Sequence, residues 1–174
     1  MRAKFIYERI GDILKGKSEE DILSSAGDLN PDDLLIKSSE AGFLPGVKKA
    51  LEIGADVHTW NDLALRMTSK RGNTNVVEIL LKNGADTRPY SGEALRWASE
   101  NGHTNIVELL LNYGADVHAN NDAALRRASR KNHLPIVELL LKNGADVHAN
   151  NDSALQWASV HNHLSVIKLL KKYM

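Results

Sequence analysis

The sequence predicts an all-α protein, a solenoid of helix-turn-helix units joined by short extended fingers. Its clearest signal is the tripeptide Gly-Ala-Asp, which begins at Gly54, Gly84, Gly114 and Gly144 and so recurs every 30 residues. A fixed period of this size is typical of stacked two-helix repeats. Hydrophobic residues make up 43% of the chain and aromatic residues only 5%, so aliphatic side chains must fill the core. Such an array favours binding over catalysis.

The first helix of each repeat follows an acidic residue. In the fourth repeat we expect this helix over 123–131, directly after Asp122, whose carboxylate can accept bonds from free N–H groups and complement the helix dipole. A core leucine recurs near the start of the helix, and a small residue follows three positions later, which indicates one buried face. The leucines are Leu65, Leu95, Leu125 and Leu155.

The second helix of the fourth repeat is predicted over 135–142. Pro135 can open it because the first N–H groups of a helix have no helical partner, and Gly144 can end it in a left-handed conformation. The segments Asp116–Asp122 and Asp146–Asp152, each of which follows such a glycine, have identical sequences. We expect these finger segments to be extended.

These residues resemble the ankyrin repeat family. The match lies in Leu-x-x-Ala, in x-Gly-His-x-x-Ile-Val-x-Leu-Leu-Leu and in Gly-Ala-Asp-Val-His, and it covers roughly residues 31–174. The family's usual unit has about 33 residues and opens with Thr-Pro-Leu-His, whereas this chain has 30 and reads Asn-Asp-x-Ala-Leu-Arg at that place. The short form is similar to the ankyrin arrays of giant viruses, and the missing residues fall in the finger.

The resemblance implies five repeats and a distinct N-terminal segment. The repeats are expected at about 31–58, 59–88, 89–118, 119–148 and 149–174. Residues 1–30 match no repeat, and the near-helical spacing of their apolar residues predicts a helical cap over the first repeat. A separate recognition peptide is the alternative. At the other end Lys171 replaces a repeated leucine, which suggests a polar C-terminal cap and a complete array.

Composition narrows the classes of function. The 22 acidic and 22 basic residues give zero net charge, which predicts neither nucleic-acid binding nor attraction to membranes. The absence of cysteine excludes disulfides, thiolate metal sites and a cysteine nucleophile. The chain starts without the apolar run of a signal peptide and has no stretch of about 18 apolar residues. We therefore expect a monomeric cytoplasmic protein without membrane contact, in the host cytoplasm if its source is viral.

The histidines suggest a metal site, but their spacing argues against one. They form two columns, which are His58, His118 and His148, and His103, His133 and His163. Neighbouring helices lie about 8–10 Å apart, whereas zinc needs each ligand nitrogen within about 2 Å. Members of one column therefore cannot share an ion, and the resemblance implies that the second column bonds loop backbone. We expect no metal and no cofactor.

The acid–base candidates are also members of repeat columns. The glutamates Glu78, Glu108 and Glu138 occupy one place on the second helix, where we expect them to be solvated. The aspartates of Gly-Ala-Asp are expected to bond turn backbone. No Ser/His/Asp set stands outside the pattern, and no Gly-rich phosphate loop occurs. We therefore predict no catalytic residue and no enzyme.

We expect binding residues at positions that differ between repeats while the other repeat positions stay the same. In ankyrin proteins the finger tips and the groove-facing first helices usually carry binding, and the resemblance implies the same here. Trp60 and Tyr90 are the best aromatic candidates, because plainer repeats carry Ala119-Asn120 at the tip. Trp97 and Trp157 are either binding hot spots or packing residues, and both interpretations stay open. The candidate partner-binding residues are Trp60, Arg66, Lys70, Tyr90, Arg96, Trp97, Asn120, Asn121, Arg127, Arg130 and Trp157.

Cations are concentrated on the first helices. They are Arg66, Lys70, Arg71, Arg96, Arg126, Arg127, Arg130 and Lys131, which we call the basic strip. The strip is either a solvated face or a groove that attracts an acidic segment of a protein. We predict a non-enzymatic protein-binding module that uses its concave groove and finger tips. The alternatives are a nucleic-acid-associated protein, which overall neutrality disfavours, and a scaffold without a dedicated partner.

Overall fold

The structure, a computed structural model, describes residues 30–174, and these form ten helices and no strand. The predicted all-α class is thus confirmed. The predicted cap over residues 1–30 lies outside the described residues, apart from Asn30, and the repeat boundaries stay a prediction. The helices are α1 (Pro31–Ala41), α2 (Leu44–Glu52), α3 (Thr59–Arg71), α4 (Thr74–Lys82), α5 (Pro89–Asn101), α6 (Thr104–Asn112), α7 (Ala119–Arg130), α8 (Leu134–Lys142), α9 (Ala149–Val160) and α10 (Leu164–Tyr173).

The described residues divide into two compact bodies, one of residues 30–68 and 75–86 and the other of 69–74 and 87–174. In the first body α1 packs on α2. In the second body the two helices of each repeat pack together, as α5 on α6, α7 on α8 and α9 on α10. First helices also pack on first helices, α5 on α7 and α7 on α9, and second helices on second helices, α6 on α8 and α8 on α10.

The core is aliphatic, as the composition predicts. Leu125, Ile136 and Leu140 are fully buried, and the small side chain of Ala128 lets neighbouring helices approach closely. The equivalent residues of the preceding repeat are buried in the same way. Because each repeat buries the same few positions against its neighbours, the surface positions are free to vary without a change in the packing.

The fingers are not extended, and this prediction was wrong. Asn120, Asn121 and Asp122 have φ angles of 54°, 54° and 52°, which place three successive residues in the left-handed region. The same turn occurs at Asn150–Asp152. Asn and Asp tolerate this conformation better than other residues with a Cβ, because their short polar side chains can bond nearby backbone. The tripeptide Asn-Asn-Asp therefore encodes a left-handed turn before the right-handed part of the helix.

An arginine holds the carbonyl groups of this turn. Arg126 donates from Nε to the Asn121 carbonyl and from Nη2 to the Asn120 carbonyl, both at 2.9 Å. Arg66 makes the equivalent bonds to the carbonyls of Asn61 and Trp60, both at 3.0 Å. One guanidinium group therefore supplies two donors to the carbonyl groups of each of these left-handed turns.

The aspartate that ends each turn links two fingers instead of capping its own helix. Asp122 Oδ1 accepts the backbone N–H of Asp146 at 2.8 Å, and His118 Nδ1 lies 3.2 Å from the same oxygen. Asp122 is 4% exposed. Asp62 makes the same contacts in its repeat, to the N–H of Asp86 at 2.7 Å and to His58. In the third repeat Arg88 and Gly92 replace the histidine and the aspartate together.

The second histidine column also ties repeats together. The Nε2 atoms of His103, His133 and His163 lie 3.0–3.1 Å from the carbonyl oxygens of Lys70, Glu100 and Arg130. A carbonyl only accepts, so Nε2 donates, and the backbone-binding role implied by the resemblance is confirmed. Gly102 lies beneath this ring, and Asn132, with φ 62°, takes the same place one repeat later. The φ of Gly102 is +83°, and a Cβ would come within 2.8 Å of the His133 Cε1 atom.

We expect Asp122→Ala to lower the free energy of unfolding by about 1–2 kcal/mol, because the N–H of Asp146 and the His118 ring lose a buried acceptor. The matched variant is Asp152→Ala. Asp152 occupies the same place in the last repeat, bonds His148 at 2.7 Å and has a side chain that is 42% exposed. Its loss is expected to be well below 1 kcal/mol. Urea denaturation followed by circular dichroism measures both values, and equal losses would refute the finger-linking role.

Buried serine hydroxyl groups give a second stability test. The Oγ atoms of Ser99 and Ser129 have no hydrogen-bond partner among the described residues, and both side chains are fully buried. Ser159 occupies the same place in the last repeat and is exposed. We expect Ser129→Ala to raise the free energy of unfolding by about 0.5–1 kcal/mol more than Ser159→Ala does, because only the buried hydroxyl gives up hydration without a replacement bond. A larger gain from Ser159→Ala would contradict this account.

Candidate functional site

The candidate residues fall on two kinds of surface. The finger tips are the residues on the left-handed turns, 60–61, 90–91, 120–121 and 150–151. The ladder is a row of side chains on the first helices of the second body. Its members are Lys70, Trp97, Glu100, Arg127, Arg130 and Trp157.

Two finger tips carry an aromatic residue on strained backbone. Trp60 has φ 52° and is 52% exposed, and Tyr90 has φ 51° and is 60% exposed. For a bulky side chain the left-handed region is a true outlier, with a cost on the order of 1 kcal/mol or more. Asn120 occupies the same place in the fourth repeat, where its residue type suits the backbone. Trp60 and Tyr90 therefore fit this backbone conformation less well than Asn120 does at the same place.

The ladder consists of three contacts between consecutive repeats. The Lys70 Nζ atom lies 5.0 Å from the centre of the Trp97 ring. The Arg130 Cζ atom lies 5.4 Å from the centre of the Trp157 ring. Both are cation–π distances. Between them Arg127 Nη1 lies 3.1 Å from Glu100 Oε1.

The ladder gives the predicted tryptophan residues a structural role. In each contact a residue near the end of one first helix meets a residue in the middle of the next first helix, 27 positions later in the chain. Trp97 and Trp157 therefore pack against the preceding repeat, as one of the two interpretations expects. Trp157 nevertheless remains 41% exposed, so part of its ring is open to solvent.

Much of the basic strip is engaged inside the chain. Arg66 is 8% exposed and holds the finger carbonyl groups. Arg96 Nη2 lies 3.0 Å from Glu93 Oε1. The cations of the ladder contact Trp97, Glu100 and Trp157. Arg66 in particular is too buried to serve as a contact for a partner, and we remove it from the candidate residues.

An open depression lies beside the ladder. It has a volume of about 520 Å³, and its lining is mostly polar. The lining residues are Lys70, Trp97, Glu100, Asn101, Lys131 and His133. The Nε2 atom of His133 is occupied by the Glu100 carbonyl, and Asn101 Nδ2 donates to the Trp97 carbonyl at 2.8 Å. The depression therefore offers the charges of Lys70, Lys131 and Glu100 rather than a set of groups arranged for catalysis.

Two further features of the described residues bear on the class of site. Among residues 30–174 no three His, Asp or Glu side chains are grouped so that they could hold a metal ion. Over the same part of the chain no helix is both long and apolar enough to cross a bilayer.

Sequence reasoning missed the residues that build the fingers and the ladder. The roles of Arg126, Asp122 and Glu100 depend on contacts with other parts of the repeat or with the next repeat. One signal was present in the sequence, since Asn-Asn-Asp has the residue types that favour left-handed backbone. A second signal was the opposite charges of Glu100 and Arg127, which lie 27 residues apart. The two residues belong to different helices, so the pattern within one helix does not show that they pair.

The comparisons with known proteins support the repeat assignment. A family model described as ankyrin repeats, in three copies, matches residues 34–121 and 117–174. The matched stretches include every described helix except the first turn of α1. No curated protein matches the chain at a significant level. The likeness to giant-virus arrays therefore stays a prediction.

We expect the Glu100–Arg127 contact to stabilise the fold only modestly. In a double-mutant cycle with Glu100→Ala and Arg127→Ala, the coupling should be about 0.5 kcal/mol, because both side chains are partly exposed. The exchange Glu100→Arg with Arg127→Glu should recover the coupling, and added salt should reduce it. Chemical denaturation measures each term. A coupling of zero at low salt would show that the ion pair does not link the repeats.

Proposed function

The chain belongs to the ankyrin repeat family, and on this basis we propose that it binds a protein partner through its finger tips. Ankyrin repeats are generally protein–protein interaction modules, and the family is typically non-enzymatic. The proposal is therefore a specific use of a general property of the fold. The proposal adds which residues make the contact and what chemistry the partner has.

The observation that carries the proposal is the strain at Trp60 and Tyr90. Each aromatic side chain is more than half exposed and stands on left-handed backbone. Asparagine, found at the same place in the later repeats, would relieve the strain and expose no aromatic ring. An exposed aromatic residue that lowers stability is best explained by contact with another molecule. Trp and Tyr are also the residues most enriched in binding hot spots.

The arginine clamp supports this use of Trp60. Because Arg66 holds the carbonyl groups of Trp60 and Asn61, the backbone below the indole ring is fixed before any partner arrives. A pre-organised contact loses less conformational entropy on binding. The proposed mechanism is thus rigid presentation of the tips, with Asn120 and Asn121 as adaptable polar contacts in the fourth repeat.

The first helices supply the second part of the proposed surface. Lys70, Arg127 and Arg130 carry positive charge on the first helices, and Arg130 lies over the partly exposed ring of Trp157. This charge suits an acidic segment of the partner. Since each of these cations already has an intramolecular contact, an acidic segment would have to share or replace that contact. We therefore expect these residues to tune the rate and salt dependence of binding more than its strength. Charge reversal at Arg127 and Arg130 tests this part, and an unchanged salt dependence would rule it out.

The alternatives need separate tests. A nucleic-acid-associated role would use the basic strip as a phosphate track, and the intramolecular contacts of its cations count against it. An electrophoretic mobility-shift assay at physiological salt, with single-stranded and double-stranded probes, is the direct test. A complex in that assay would favour the nucleic-acid role.

A scaffold without a dedicated partner would be favoured if crosslinking in the native host captured nothing. A cytoplasmic location is part of the proposal and is tested by imaging of the tagged chain.

The finger-tip proposal predicts opposite effects on stability and binding. We expect the double variant Trp60→Asn/Tyr90→Asn to raise the free energy of unfolding by about 1 kcal/mol, because both strained residues are replaced by one that tolerates the backbone. In a quantitative crosslinking pull-down from the native host, the same variant should recover at most about a tenth of the partner, the effect of losing a hot spot.

The matched control is Ser91→Asn. Ser91 has φ 53° and lies next to Tyr90 on the same turn, so the change relieves strain without removing an aromatic ring. This variant should be more stable than the wild type and should capture the partner equally well. Equal capture by the aromatic double variant would overturn the finger-tip proposal.

A further inference from the structure

The third finger lacks a carboxylate that the fingers before and after it have. In the second and fourth repeats the aspartate that ends the left-handed turn accepts the N–H of the aspartate one finger later. Asp62 accepts it from Asp86 at 2.7 Å, and Asp122 accepts it from Asp146 at 2.8 Å. Gly92 stands at this place in the third repeat and has no side chain. The third finger therefore brings no such acceptor to the fourth finger.

The donor that would meet this carboxylate is the backbone N–H of Asp116. It donates to no acceptor among the described residues, and Asp116 is exposed. The N–H groups of Asp86 and Asp146, at the same place in their repeats, each bond a carboxylate oxygen. The chain thus keeps the donor of this contact at the fourth finger, while the sequence of the third finger lacks the acceptor.

Arg88 replaces the histidine that accompanies the aspartate elsewhere. In the other repeats the ring of His58, His118 or His148 lies 2.7–3.2 Å from the nearest oxygen of the aspartate of its own finger. Arg88 is exposed, and a guanidinium offers five N–H donors in a fork that matches a carboxylate. Arg88 already takes part in a contact within the chain, so a bound carboxylate would share its donors. The third finger has therefore exchanged an acceptor for a stronger donor.

The groups around this place allow a carboxylate from another molecule. The carboxylate of Asp116 accepts the N–H of His118 at 2.9 Å. Asp146 makes the same bond one repeat later, and Asp122 still reaches its N–H, so this negative charge does not prevent the contact. A Cβ at Gly92 would come within 2.8 Å of the Ala119 Cβ atom. The close approach of Ala119 thus disfavours a side chain from the finger itself.

We propose that the Asp116 N–H and the Arg88 guanidinium, which we call the third-finger site, bind the side-chain carboxylate of an aspartate or glutamate of the protein partner. A side chain is the expected source because an aspartate side chain bonds the same N–H in the fingers before and after. Tyr90 lies on the same turn and would contact a neighbouring residue of the partner. The assignment to the partner rests on the proposed finger-tip contact, whereas the site itself does not.

The first test is a titration of the whole isotope-labelled chain with sodium acetate, followed by nitrogen–proton correlation NMR. We expect the amide proton of Asp116 to shift downfield along a saturating curve, since it gains a charge-assisted hydrogen bond. Sodium chloride at equal concentration controls for ionic strength and should give no such curve. The Asp146 amide already bonds Asp122 and is the internal control, which acetate should leave unchanged.

Two variants link the shift to the named groups. Arg88→Ala should weaken the apparent affinity for acetate by about threefold, the effect of losing one exposed ion pair. His118→Arg/Asp122→Gly copies the residues of the third finger into the fourth, so the Asp146 amide should begin to respond to acetate. An Asp146 amide that still ignores acetate would overturn the account of the third-finger site. Circular dichroism checks that both variants are folded.

Three short peptides identify the source of the carboxylate. Acetyl-Gly-Asp-Gly-amide carries it on a side chain, acetyl-Gly-Gly-Gly carries it at the chain end, and acetyl-Gly-Asn-Gly-amide lacks it. We expect the aspartate peptide to shift the Asp116 amide and the asparagine peptide to leave it unchanged. The aspartate peptide should bind about threefold more tightly than the peptide with a free end. Equal or tighter binding of the free end would show that the side-chain assignment is wrong.

The site and its assignment to the partner fail on different results. An Asp116 amide without a saturating acetate shift, or an acetate affinity that Arg88→Ala leaves unchanged, overturns the third-finger site whatever the finger tips do. In the crosslinking pull-down, Arg88→Ala should recover about a third of the partner. If Arg88→Ala captures the partner fully and the aromatic double variant does not, the finger-tip contact stands and the assignment of the site to the partner is wrong.

Discussion

The left-handed turn at each finger is the constraint on which the rest of the repeat depends. A repeat of 30 residues leaves too little chain for an extended finger, so three residues at positive φ redirect the backbone into the next helix. That geometry selects Asn and Asp by residue type and leaves carbonyl groups that Arg126 satisfies. It also places the last residue of the turn, Asp122, where its carboxylate reaches the next finger. One local conformation thus determines a clamp, a link between repeats and an exposed tip.

Contacts between consecutive repeats supply stability that a single repeat lacks. Three kinds occur in the second body: the aspartate at the finger, the histidine on the preceding carbonyl group, and the ladder on the first helices. They lie at different places along the repeat, so loss of one leaves the others. The third repeat shows this. Gly92 stands where the other repeats have the linking aspartate, so that link is missing. His103 nevertheless bonds the Lys70 carbonyl, and Lys70 Nζ makes a cation–π contact with the Trp97 ring. Redundant links allow one repeat to vary without loss of the array.

The sequence predicts most of the helical frame and little of the candidate site. The period, the core leucines and Gly144 define helices because they report local backbone preference and burial, and the structure places α8 within one residue of its predicted start. The fingers were predicted to be short and extended, because the residue types of Asn-Asn-Asp were not recognised as those that favour left-handed backbone. The roles of Arg126 and Glu100 were missed for another reason. Their partners lie across a turn or in another repeat, and no periodic pattern within one helix encodes such a contact.

The effect of a surface residue on the stability of the fold separates structural residues from candidates for binding. The basic strip is a prominent feature of the sequence, yet Arg66, Arg127 and Arg130 make contacts within the chain, so their presence does not by itself indicate a partner. Trp60 is different, because it stands on left-handed backbone that disfavours a bulky side chain, and more than half of its side chain is exposed. Backbone strain of this kind occurs often at binding sites, and the proposed finger-tip contact would explain why Trp60 is present at this place.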